Sequence, residues 1–118
     1  MCLEKEAVIP EAPWEAENGC VVGWKIVYVT DSGKMYPLYY DTARCFSVGE
    51  WDITDSVGFH AYRYKQGAER VFSNWAYKEN YKIIKVLLRG KIIYGEQYCA
   101  DTGSYVQAAR AKELFICA

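Results

Sequence analysis

The stretch Tyr81-Lys82-Ile83-Ile84-Lys85-Val86-Leu87-Leu88-Arg89-Gly90-Lys91-Ile92-Ile93-Tyr94 decides the fold. Its density of Ile and Val with flanking Tyr is that of a strand packed on a core. Gly90 interrupts the run, and a glycine there marks a bulge or tight bend within a hairpin. Residues 95–103 then read as a loop, rich in Gly and polar side chains.

Upstream, Tyr64, Ala68, Val71, Phe72, Trp75 and Ala76 recur at spacings of three and four, which is one face of an amphipathic helix over about residues 66–78. Gly58-Phe59-His60-Ala61-Tyr62 leads into it as a short strand reaching Tyr64. Gly23 to Thr30 is a strand by its β-branched and aromatic content. Asp31-Ser32-Gly33-Lys34 is a turn, and Met35 to Tyr40 returns as the hairpin partner. Pro37 cannot donate to a ladder, so this partner belongs at a sheet edge. Residues 41–58 read as a long surface loop with short extended pieces, and such loops often carry function.

Downstream the signals conflict. Ala108-Ala109-Arg110-Ala111-Lys112-Glu113 favours helix by propensity, whereas Leu114-Phe115-Ile116-Cys117 favours strand. An extended closing strand is the reading adopted. The fold class expected is α+β, a mostly antiparallel sheet with one principal amphipathic helix packed on it.

At 118 residues, with 52% hydrophobic and 25% charged side chains, the chain fits one globular domain with one core. Residues 1–20 form an acidic arm in which Pro10 and Pro13 oppose regular structure and Trp14 pins the arm to the body. Residues 21–118 are the α+β domain. No apolar run approaches a membrane span, and no basic segment followed by an apolar one opens the chain, so a cytoplasmic protein is expected. Cys2, Cys20, Cys45, Cys99 and Cys117 are odd in number and scattered, which fits reduced thiols rather than a zinc knuckle or disulfide framework. A metal site from Cys99, Asp101 and His60 is not demanded by the spacing, and neither a metal nor a cofactor is expected.

Residues 1–60 carry ten acids against four bases, and residues 61–118 carry ten bases against five acids. The first expectation is that the halves fold together and neutralise. The functional alternative is a basic face around Arg70, Lys82 and Arg89 for an acidic partner.

His60 is the only histidine and the only side chain whose ordinary pKa lies near neutrality. Any proton-transfer role passes through it, with Tyr62 and Glu96 as companions and Asp52 or Asp55 as orienting carboxylates. No nucleophile elbow, phosphate-cradling loop or paired-histidine motif accompanies it. A histidine flanked by Phe59 and Tyr62 on an apolar strand is more often structural. Eleven tyrosines and four tryptophans exceed what one core can satisfy. Several therefore reach the surface, where Tyr94 and its neighbours suit contact with a protein or a second copy. Stacking on nucleic-acid bases is the weaker use of the same rings.

Gly33-Lys34, Val48-Gly49-Glu50, Gly58-Phe59-His60-Ala61, Ala68, Lys85-Val86, Gly90-Lys91-Ile92 and the terminal Ala-Arg-Ala-Lys-Glu-Leu run occur in one order. That order resembles a family of small domains of unknown function from bacteriophages and prophage-bearing bacteria, over residues 23–117. The resemblance implies an origin and no activity. The Gly-aromatic strand before a helix with an early Ala also resembles the central element of ADP-ribosyltransferase-like folds. That likeness implies His60 or a nearby Tyr lining a nicotinamide pocket and Glu96 or Glu113 polarising a ribose hydroxyl. Trp24-Lys25 departs from it, offering no His or Arg on the first strand. The function expected is a non-enzymatic binding or self-associating module, with an ADP-ribosyltransferase-like or other His60-dependent enzyme as the alternative.

Overall fold

The computed structural model describes residues 3, 5–7, 9–10, 12–37, 44–55, 57–73, 79–99 and 103–117. In chain order these form β1 (Lys5–Ala7), β2 (Ala16–Glu17), β3 (Cys20–Val29), β4 (Met35–Pro37), β5 (Trp51–Ile53), β6 (Phe59–Tyr62), α1 (Lys65–Ser73), β7 (Tyr81–Cys99) and β8 (Ser104–Ile116). All strand pairings are antiparallel. The class is therefore a mostly antiparallel sheet with one short helix.

The β-branched run is the spine. Along one edge of β7, Tyr81 to Leu88 pair with Tyr28 to Val21 of β3, and Tyr94 to Glu96 pair with β1. Along the other edge, Val86 to Cys99 pair with β8 from Ile116 back to Ser104. The register shifts between Arg89 and Ile92, where Gly90 stands at φ +82°. The glycine thus marks a bulge inside one continuous strand. The expected loop at 95–103 is a correction: Gly95 to Cys99 stay in the ladder, and the connection to β8 lies beyond Cys99. Cross-strand pairing overrides the weak strand propensity of Gly, Glu and Gln.

β8 pairs on its far edge with β6 and β5, and β6 returns to β3 through Trp24 opposite Tyr62. β3, β7, β8 and β6 therefore close a ring. One core fills it, with Val27, Phe59, Ala61, Val86, Leu88, Ala109, Ala111, Leu114 and Ile116. Alanines dominate where β6 faces β8 because the ring is tight there. That need for small side chains explains an Ala-rich segment in a strand despite its helix propensity.

A second core lies on the outer face under α1, with Ile26, Tyr62, Ala68, Val71, Val106 and Ala108. The helix starts one residue earlier than expected and runs through Ser73; residues 74–78 of the expected span, with Trp75 and Ala76, lie outside the described residues. It is a short element on the sheet rather than a principal one. Gly67 sits so close to the sheet that an added Cβ would stand 2.8 Å from Val106 Cγ1.

The N-terminal arm belongs to the same sheet through β1 and β2. Trp14 is 8% exposed and meets the Tyr94 ring edge-on, centroids 5.3 Å apart. Pro37 sits in β4, which among the described residues pairs with β3 alone, as expected of an edge, and residues 38–40 of the expected partner lie outside the described residues. Ion pairs Glu6–Arg110 and Glu17–Lys85 join the acidic first half to the basic second half, as the neutralising reading expects.

Candidate functional site

Two places concentrate polar chemistry. The first is the seam between β3 and β6. Arg63 N–H donates to the Gln107 carbonyl at 3.0 Å. Alternation along β6 then turns the backbone groups of Ala61 and Phe59 towards β8, and those of Tyr62 and His60 towards β3. Trp24 meets Tyr62 there, and the next pair in register, Ile26 with His60, is not made. In its place Lys25, 2% exposed, donates from its Nζ to the His60 carbonyl. Burial holds that ammonium down at a pKa of about 7.

The His60 side chain lies on the opposite face of β6, 3% exposed, edge-on to the Tyr62 ring with centroids 4.8 Å apart. The side chain of Gln97, itself buried, interacts with the imidazole and opposes part of the fall in its pKa. Burial first, and Lys25 second, push the imidazole pKa down to about 3. At neutral pH His60 is uncharged and enclosed. Asp52 does not orient it: its carboxylate accepts the Ser47 N–H at 3.1 Å, and its strand pairs with Leu114.

The second place is a cleft of about 320 Å³ between the arm and the β7–β8 hairpin. Trp14 and Tyr94 are its aromatic lining, and Arg63, Gln107, Glu6 and Glu96 its polar groups. The Arg63 guanidinium is fixed by bonds to Gln107 Oε1 at 2.8 Å and the Pro13 carbonyl at 2.7 Å, and it lies over the Trp14 ring. Glu6 bonds Arg110 at 3.1 Å. Register places Lys5 opposite Glu96. Burial raises the Tyr94 pKa, so its hydroxyl stays protonated at neutral pH.

The expected catalytic set is therefore divided. His60 and Tyr62 are buried, Tyr62 against α1, whereas Glu96 lines the cleft. The expected basic face is divided as well. Arg70 is on α1, outside the ring, while Lys82 pairs with Val27 and so points to the other side of the sheet. Arg89 stacks on Trp51 at 3.7 Å and bonds Glu113 at 2.8 Å. Of the expected contact residues only Tyr94 lines the cleft. Glu113 is held by Arg89, away from the ribose-polarising role the ADP-ribosyltransferase likeness implied.

Sequence reasoning missed Lys25 and Arg63. Nothing local marks a lysine that crosses a seam, but a charge amid Trp24, Ile26 and Val27 was a signal that the strand's face needed a polar partner. Among the described residues no group of three or more His, Cys, Asp or Glu could hold a metal ion, and Asp101 lies outside them. None of the described helices is long and apolar enough to cross a membrane. No family model matches the chain, and neither a curated protein nor a solved structure matches it.

Proposed function

We propose that the chain is a non-enzymatic binding module, of the kind expected of a cytoplasmic bacteriophage accessory domain, and that it engages a protein partner or a second copy through the cleft between its arm and the β7–β8 hairpin. The observation that carries this reading is the division of the polar residues. The cleft lined by Trp14 and Tyr94 is open, whereas the one imidazole is buried. A cleft of about 320 Å³ is at the small end for ligand sites and suits one or two inserted side chains. Rings with a polar end, beside a fixed guanidinium, are the composition of contact hot spots.

The test is sedimentation and affinity capture of the wild-type chain beside Tyr94→Ala and Lys82→Ala. Self-association or partner capture lost with Tyr94→Ala and kept with Lys82→Ala supports the reading. A monomer at high concentration with no partner, or equal loss in both variants, refutes it. Thermal-shift screening against NAD and nucleotides addresses the alternative. Stabilisation by NAD, together with turnover abolished by His60→Gln, would replace the binding module by the enzyme.

A further inference from the structure

The ring β3–β7–β8–β6 is not equally closed on all sides. β3 and β7 share eight consecutive pairs, and β6 and β8 share four. β3 and β6 share one, Trp24 with Tyr62. The outer edge of β3 is divided in sequence among β2 at Cys20 and Val21, β6 at Trp24, and β4 from Val27 to Val29. Between the last two lies the position where Ile26 and His60 would pair and do not.

We propose that the β3–β6 seam is the gate of this fold, bolted from inside the ring by Lys25 and covered from outside by α1, and that it opens while the rest of the sheet stays paired. The Lys25 Nζ donates to the His60 carbonyl beside the single β3–β6 ladder pair. Phe46 packs beneath the ammonium, 5.8 Å from ring centroid to Nζ. On the outer face Ala68 and Val71 of α1 share a core with Ile26 and Tyr62, so the helix lies across the same seam. The nine described residues of the helix make a short element, whose stability comes from packing rather than from itself. Lifting it uncovers Tyr62 and Ile26 together. The inference is independent of the cleft.

β6 supplies its own control because alternate amides face opposite neighbours. Tyr62 N–H faces β3 and Ala61 N–H faces β8. Hydrogen exchange followed by NMR in the wild-type chain is expected to show Tyr62 exchanging at least about tenfold faster than Ala61 and Leu88, as a local opening does. Lys25→Met keeps the length of the side chain and removes the donor. It is expected to accelerate Tyr62 by a further factor of about ten and to leave Ala61 and Leu88 unchanged. Equal exchange of Tyr62, Ala61 and Leu88 in the wild type would overturn the gate, and that comparison stands even if Lys25→Met fails to fold. An unaltered Tyr62 rate in a folded Lys25→Met would overturn the role of Lys25.

Discussion

Lys25 donates from its ammonium to the backbone carbonyl of His60 across a place where two strands fail to pair. One buried charge thereby adds a hydrogen bond across that seam, and the two residues become electrostatically linked. The same cation lowers the His60 imidazole pKa, after burial has done most of the work. Both groups resist protonation in the folded state, and each leaves a signature in a different pH range.

The acid signature belongs to His60. Its pKa is about 3 folded, against 6.5 for an ordinary imidazole. Between those values the unfolded chain holds a proton that the folded chain does not, so stability is lost as pH falls through the window. The full shift is worth on the order of 5 kcal/mol, a large share of a domain's stability. Denaturant unfolding at intervals from pH 7 to 3 should show this loss, and His60→Gln should lack it. The raised Asp52 carboxyl acts in the opposite direction in the carboxylate range, and it cancels in the difference between the two proteins. Parallel profiles for wild type and His60→Gln would contradict the burial of His60.

The alkaline signature belongs to Lys25. Its pKa is about 7 folded, against 10.5 for an ordinary lysine. Within that window the unfolded chain carries the extra proton, so stability rises with pH and levels off at either end. Lys25→Met removes the buried amine and should flatten the rise. At pH 6 the variant should match the wild type to within about 2 kcal/mol, because loss of a costly buried charge offsets loss of one hydrogen bond. A melting-temperature rise between pH 7 and 10 that is identical in both proteins would refute this.

Much of the sheet was legible in the sequence because strand propensity and alternation are local. β3, β6 and most of β7 stand where their β-branched and aromatic residues placed them, and Gly90 marked the bulge. Legibility failed where distant pairing decides. Gly95 to Cys99 look like loop until Ser104 to Ala108 pair with them one for one. Ala109 and Ala111 look helical until Phe59 and Ala61 of β6 lie opposite them and leave no room for larger side chains. The arm looked irregular for the same reason, since β1 is ordered by its partner Tyr94-Gly95-Glu96 rather than by its own propensity. His60 could be recognised as the residue to examine, but its enclosure depends on its distant partners in β8 and β7.

The bulge offers a backbone test. Gly90 sits at φ +82°, where a Cβ would also meet Glu113 Oε2 at 2.9 Å. The carboxylate ends a flexible side chain and can move aside, which breaks its bond to Arg89 at little cost on an exposed surface. The backbone strain remains. Gly90→Ala should lose about 1–2 kcal/mol in denaturant unfolding, and Gly90→Asn less, because Asn tolerates this conformation better. Equal losses in the two variants would point to crowding at Glu113 instead.

Two strands of the ring also approach closely at Gly23, beside the single β3–β6 pair. A Cβ there would stand 3.0 Å from Ala61 Cβ and 3.4 Å from Leu88 Cδ1. The Ala61 methyl cannot rotate away, and its strand is held to β8 by four pairs, so the strain falls on the seam. Gly23→Ala should therefore cost about 1–3 kcal/mol. Ala61→Gly alone should also cost about 1 kcal/mol, because a buried methyl is lost and the strand backbone gains freedom when unfolded. Together the changes exchange one methyl for another across the same gap. The double variant should recover at least about 1 kcal/mol over the sum of the single losses, read as a coupling free energy in a double-mutant cycle. Strict additivity would mean that β6 does not press against Gly23, and the ring would have to be closed elsewhere.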